Sequence, residues 1–376
     1  MLRDQIAPVS ARWRMSHRVL SFGLLIVFIG SLSACGRLFP LKTISASTKV
    51  PGGATSTTPQ RRVPVVLGAA VGYGHLTTDL QYRVTVQKYF GLLVPENEMK
   101  FDVIEPKQGI FDFSQADALL GFARANGMLV RGHTLVWGEQ LPSWLTTGSF
   151  TRDELLQILR MHIETVVGHY RGQVVAWDVV NEAFDGNQLR NNFWLQHLGS
   201  DYIADAFLWA HEADPQAKLF YNDYGDDEVG PKFDAILQFM TRLRAQGVPI
   251  TGVGMEMHLG FGTPPDVQAV KTNMQRLREA GLETAVTEMD VQIHDLPGSL
   301  NDELREQATI YGEMAAACRA AGNCHYFVTW GVSDRYSWLQ QVLGYADAPL
   351  LFDTKYRPKP AYYAVRDALR SSEPSS

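Results

Sequence analysis

The sequence predicts an α/β protein folded as a single (β/α)8 (TIM) barrel, and three observations lead there. Eight short apolar runs recur through residues 63–370, helical patterns separate them, and polar residues gather where the runs end. Barrels of this kind commonly occupy about 250 residues as one unit. An open, doubly wound sheet shares the alternation, but no Gly-rich phosphate loop follows the first run to recommend it.

The predicted strands are residues 65–72, 91–96, 128–135, 174–181, 218–222, 250–257, 284–288 and 325–331. Short apolar runs of this length read as buried strands. The clearest helix spans 151–169. Thr151 and Glu154 form a capping box there, Leu155, Leu159, Ile163, Val166 and Val167 share one face, and Gly172 closes the segment. Residues 234–244 before Gly247 and 303–320 before Gly322 follow the same rule. No internal repeat of solenoid period is present.

The ends are of another kind. Arg12, Arg14 and Arg18 precede an apolar stretch from Val19 to Leu32 and the run Leu32-Ser33-Ala34-Cys35-Gly36, so residues 1–35 read as an export signal. The Leu-Ser-Ala-Cys ending resembles a bacterial lipobox, which implies lipidation of Cys35 and a cell-envelope location. An ordinary signal peptide or an uncleaved anchor is the alternative, and the apolar run falls short of the ~20 residues a spanning helix needs. Translation from Met15 would give a basic region of more usual length. Residues 36–62, rich in Ser, Thr, Pro and Gly, read as a flexible tether, and 371–376 as a polar tail. The two remaining cysteines, Cys318 and Cys324, are expected to form a disulfide closing a small loop, since an exported chain keeps such pairs oxidised.

Composition narrows the function. A net charge of −6 and the lack of a basic cluster in the globular part argue against nucleic acid as a partner, while a neutral ligand such as a sugar remains open. No Cys/His cluster has zinc spacing, so neither a metal nor another cofactor is expected; the chain is read as a monomer whose only membrane contact is the lipid anchor.

Chemistry-bearing residues concentrate at predicted C-terminal strand ends. The second strand leads to Glu96, Asn97 and Lys100; the third carries His133 and then Trp137. The fourth ends in Asp178, Asn181 and Glu182, and the fifth in Asn222, Asp223 and Tyr224. The sixth carries Glu256 and His258, the seventh Glu288 and Asp290, and the eighth Trp330, with Trp338 beyond it. A lone acid or histidine at a strand end is usually a capping or ion-pair residue. Seven strands aiming polar groups at one mouth call for a site at the barrel top. Two acids there, Glu182 and Glu288, are the minimum equipment for cleaving a glycosidic bond. Apolar neighbours would keep Glu182 neutral, and His258, oriented by Asp290, is the expected partner of Glu288.

The motifs Glu96-Asn97-Glu98-Met99-Lys100, Gly132-His133-Thr134-Leu135-Val136-Trp137, Trp177-Asp178-Val179-Val180-Asn181-Glu182, Gly252-Val253-Gly254-Met255-Glu256-Met257-His258 and Thr287-Glu288-Met289-Asp290 together resemble those of glycoside hydrolase family 10. The match runs in order from Val65 to Ala368, and that family is chiefly endo-β-1,4-xylanases. The resemblance implies a (β/α)8 barrel, xylan or xylo-oligosaccharides as substrate and hydrolysis with retention. Glu182 would be the acid/base and Glu288 the nucleophile. It also implies that Asn181 donates to the sugar 2-hydroxyl, and that Glu96, Asn97, Lys100, His133 and Gln140 bind sugar on the non-reducing side. Trp137, Trp330 and Trp338 would wall that subsite, with Tyr224 a candidate for neighbouring subsites; Asp178 and Asp290 would support the acids.

Three departures from the family pattern stand out. Gly138 follows Trp137 where the family usually has His, Glu139 comes next instead of a small polar residue, and Glu256 stands where the family usually has Gln. Gly138 is expected to remove a side chain and donor from the cleft wall. Glu256 is expected either to carry a proton or to raise a neighbour's pKa, shifting the pH optimum or lowering activity. A glucanase on the same barrel and a catalytically weak polysaccharide-binding lipoprotein are the competing readings.

Overall fold

Residues 64–260, 266–294 and 296–370 are described by the structure, a computed structural model. All eight expected strands form: β1 (Val66–Val71), β2 (Leu92–Pro95), β3 (Leu129–Val136), β4 (Ala176–Asn181), β5 (Lys218–Asp223), β6 (Gly252–Met255), β7 (Glu283–Val291) and β8 (Cys324–Thr329). Neighbours in sequence pair in parallel, and β8 pairs with both β7 and β1, which closes the sheet on itself. Closure excludes the open doubly wound alternative.

Strand parity explains the two apolar layers. Ala70, Leu92, Val94, Ala176, Phe220, Ala285, Tyr326 and Val328 cluster with one another, whereas Ala69, Val71 and Leu93, one residue out of step, belong to a larger cluster shared with the helices. The first set fills the barrel and the second packs the outer ring. That ring comprises α1 (Leu80–Tyr89), α2 (Ser114–Ala125), α3 (Arg152–His169), α4 (Tyr202–Ala213), α5 (Pro231–Ala245), α6 (Val267–Glu279), α7 (Leu300–Ala321) and α8 (Pro360–Arg370). The expected capping box of α3 is present, with Glu154 N 3.3 Å from Thr151 Oγ1 and Thr151 N 2.7 Å from Glu154 Oε2. The helix ends at His169, as predicted, and the chain turns through Gly172.

Two ties hold the frame outside the site. Cys318 of α7 and Cys324 at the start of β8 form a disulfide, at the barrel end opposite the strand C-termini. Lys359, ahead of α8, puts Nζ 3.1 Å from Asp334 Oδ2 and 2.6 Å from the Ala348 carbonyl, with Lys359 and Asp334 both buried. That ion pair braces the long β8–α8 connection carrying Trp338. Among the described residues no helix is long and apolar enough to cross a membrane. The expected signal, Cys35 with its lipid, the tether and the 371–376 tail lie outside the described residues.

Candidate active site

The parallel register brings the strand ends level. Asn181 of β4 stands opposite Asn222 of β5, and Asp223 opposite Met255. Glu182, the first residue beyond β4, has φ +50°, a left-handed conformation that costs a non-glycine residue roughly 1–3 kcal/mol. Surrounding bonds hold it there: Glu182 N donates to the Asn222 carbonyl at 2.9 Å, and Ala183 N donates to the Tyr221 hydroxyl at 3.0 Å. The turn lifts the Glu182 carboxyl out of the sheet and leaves it half-buried.

Glu288 lies within β7 and is held from three sides. Its Oε1 is 2.7 Å from Asn222 Nδ2, its Oε2 is 3.4 Å from His258 Nε2, and His133 Nδ1 is 3.8 Å from Oε1. The same Asn222 amide reaches Asn181 Oδ1 at 2.8 Å, and Asn181 Nδ2 is 3.4 Å from Glu182 Oε1. Two asparagines thus bridge the two acids. Gly254 makes room for this bridge, since a Cβ there would come within 2.3 Å of Asn222 Oδ1.

Environment drives the two carboxyls apart. Burial, then the charges of Glu288 and Asp223, push Glu182 up to about 7. Burial also opposes ionisation of Glu288, but the imidazoles of His133 and His258 outweigh it and hold its pKa below the usual carboxylate range. Glu256 is buried, with Oε1 3.1 Å from Asn222 Nδ2. Burial and the charges of Glu288 and Glu182 raise it well above the ordinary value, which favours its protonated form. A protonated carboxyl offers one donor and one acceptor, as an amide does, which makes Glu256 compatible with a glutamine's place. The segment just beyond β6 also supplies His258, after Met257 at φ +60° turns the backbone.

The remaining expected residues complete a cleft floor and wall. Lys100 Nζ lies 2.9 Å from Asn97 Oδ1 and 2.8 Å from Gln140 Oε1, and faces the Trp137 and Trp330 rings at 5.0 and 5.9 Å. Glu96 is pushed up to about 7 by burial and the charge of Glu98, against the pull of Lys100. Trp338 Nε1 donates to Asp290 Oδ2 at 2.7 Å, and His258 Nδ1 sits 3.0 Å from the same oxygen. Asp178 ties His133 Nδ1 at 3.2 Å to the buried Arg131 guanidinium. Tyr224 stands apart on the rim, 41% exposed, bonded to Arg190 and lying under Lys232 Nζ at 3.8 Å.

Gly138 contributes no side chain of its own, and Asn192 occupies the adjoining space; a Cβ on Gly138 would meet Asn192 Cβ at 2.8 Å. Residues to which the sequence reading gave no role are Asn222, Arg131, Thr287 (whose hydroxyl donates to Asn222 Oδ1 at 2.7 Å) and Arg190. Asn222 had a signal, since it follows an apolar strand as Asn181 does. Arg131 had none, being a buried charge whose partner lies 47 residues away. Among the described residues, Glu256, His258 and Glu288 have the donor atoms to hold a metal ion.

A half-buried proton-holding carboxyl joined through two asparagines to an ionised one, beside a lysine and tryptophan-walled cleft, is equipment for cleaving an acetal in a neutral polymer. Comparison with known proteins agrees. The sequence profile of glycosyl hydrolase family 10 matches residues 58–368. Endo-1,4-beta-xylanase B of Thermotoga neapolitana is 37% identical over 92% of this chain and 96% of its own. Beta-1,4-xylanase of Dictyoglomus thermophilum is 42% identical over 80% and 87%. The crystal structure of xylanase 10B from Thermotoga petrophila in complex with xylobiose superposes with a TM-score of 0.78 at 38% identity, covering 81% of this chain and 94% of that one. Profile, relatives and barrel agree that the chain belongs to glycosyl hydrolase family 10.

Proposed function

We propose that the chain is a retaining endo-1,4-β-xylanase, with Glu182 as acid/base and Glu288 as nucleophile. The observation that carries this reading is the split of the two carboxyls, one kept protonated near neutrality and the other kept ionised, joined through Asn181 and Asn222. Glu288 attacks the anomeric carbon while Glu182 gives its proton to the leaving glycosidic oxygen. The C–O bond to the leaving chain breaks as the bond to Glu288 forms. In the second step Glu182, now a carboxylate, takes a proton from water, and the water oxygen displaces Glu288 to release a sugar of unchanged anomeric configuration. Asn181 contributes most where charge develops, through the sugar 2-hydroxyl.

Xylan as the polymer is supported by relatives named xylanases and by a neighbour crystallised with xylobiose. Lys100, Asn97 and Gln140 supply donors and acceptors for sugar hydroxyls on the non-reducing side, and Trp137, Trp330 and Trp338 supply flat apolar faces for the rings. Export and attachment through a lipidated Cys35 complete the reading and place a polymer-cutting enzyme outside the cytoplasm.

The test is to incubate the full chain with xylan, a soluble cellulose derivative and aryl glycosides and to identify the products. Xylo-oligosaccharides of mixed length from xylan, with little release from cellulose, are expected. Preferential release of gluco-oligosaccharides would overturn the substrate, and binding without products would overturn the activity.

A further inference from the structure

Beside Glu288 lies a set of atoms that the hydrolytic cycle does not require. One carboxyl oxygen each from Glu256 and Glu288 and one ring nitrogen of His258 lie within 4.8 Å of one another. His258 Nε2 is 3.4 Å from Glu288 Oε2 and 3.8 Å from Glu256 Oε2. Zinc bonds of about 2.0–2.1 Å in a tetrahedron separate the ligands by roughly 3.3 Å, so the three groups stand close to a ligating arrangement. The Asn222 amide engages the other oxygen, Oε1, of both acids, which leaves each Oε2 beside the imidazole.

A second feature is independent of the acids. His258 Nδ1 is 3.0 Å from Asp290 Oδ2, itself fixed by the Trp338 indole at 2.7 Å. A carboxylate on the far nitrogen of a histidine orients the ring and strengthens the near nitrogen as a metal ligand. Sequence spacing could not reveal such a site, because its ligands come from two different strands. Glu256 is the member that can become an anionic ligand, by giving up its proton, where an amide could not.

We infer that Glu256, His258 and Glu288 bind a zinc-like divalent transition-metal ion that reversibly shuts the enzyme off by taking the nucleophile as a ligand. The inference rests on Glu288 being that nucleophile. The ion replaces the protons on His258 Nε2 and Glu256, which leave to solvent; no electron is transferred. Two carboxylates and one imidazole leave a fourth position for water. Magnesium, which demands oxygen ligands in an octahedron, suits the set poorly.

The test uses the full chain stripped with EDTA. Cobalt(II) is added alone and its visible absorption recorded, and xylan hydrolysis is measured across zinc concentrations, each variant against its own metal-free rate. One cobalt per chain with tetrahedral-type absorption is expected, together with zinc inhibition that EDTA reverses and magnesium does not reproduce. In Glu256→Gln the zinc concentration for half inhibition is expected to rise at least tenfold. Circular dichroism checks its folding, and His258→Asn takes its place if it is unfolded. Coincident inhibition curves for wild type and variant, or no stoichiometric cobalt spectrum, would overturn the site. Stoichiometric cobalt binding by a chain that releases nothing from xylan would uphold the site and overturn the xylanase reading.

Discussion

The side-chain amide of Asn222 lies 2.7 Å from Oε1 of Glu288, and that single nitrogen also reaches Asn181 and Glu256. An amide nitrogen carries two hydrogens, so three acceptors compete for it. Asn222 is therefore the hub through which the acid/base strand, the nucleophile and the extra acid sense one another. Asn222→Ala removes a hydrogen bond to a charged group, worth about 1.5–3 kcal/mol. A 10- to 100-fold fall in kcat on xylan is expected, with KM little changed. A large rise in KM at constant kcat would move Asn222 from the chemistry to substrate binding.

Removing either acid separates their roles. Glu288→Ala is expected to lose xylan hydrolysis by several orders of magnitude on every substrate. Glu182→Ala is expected to lose about 10²–10⁴-fold on xylan, the usual contribution of a positioned general acid. It should lose much less on aryl xylosides whose leaving group needs no proton. Equal losses on both substrates in Glu182→Ala would remove the acid role.

The pH dependence follows from the two shifts. Glu182 must hold its proton, so kcat/KM falls as pH rises through about 7. Glu288 must be ionised, and its pKa is held below the usual range, so the acid limb lies below the ordinary glutamate value. Glu256→Gln is expected to shift the profile or lower the rate difference between the limbs, because Glu256, raised by burial and by the charges of Glu288 and Glu182, is electrostatically linked to both acids. Coincident profiles and rates would remove Glu256 from the titrating set.

The disulfide is peripheral to the chemistry. Cys318 and Cys324 are six residues apart, and closing so short a loop stabilises by about 2 kcal/mol on the chain-entropy relation. The Cys318→Ser/Cys324→Ser variant is expected to unfold at lower urea concentration with kcat unchanged at 25 °C. An equal loss of kcat would mean that β8 transmits strain to Trp330.

The barrel was legible because each strand is a short apolar run and seven of the eight runs lead into polar residues. Glu182, Glu288, His258 and Asp290 could be placed in one mouth by strand count alone. Spatial neighbours from separate strands were less visible. Arg131 is buried against Asp178 across a gap of 47 residues, and nothing local in Leu129–Val136 distinguishes a buried arginine from an exposed one. Asn192 filling the space beside Gly138 depends on a loop conformation, and a glycine in sequence reads only as a missing side chain. The left-handed turn at Glu182 was hidden for a related reason, since tertiary hydrogen bonds and not its own propensity hold it.

The central claim is that Glu288 forms a covalent bond to the sugar. It is tested by incubating the full chain with a 2-deoxy-2-fluoro xylobioside bearing a good leaving group, then measuring intact mass and mapping the modified peptide. The account predicts a one-to-one mass increase equal to the fluorinated glycosyl group, located on Glu288 and absent in Glu288→Ala. Turnover of xylan with no trapped adduct, or an adduct on another residue, would contradict it.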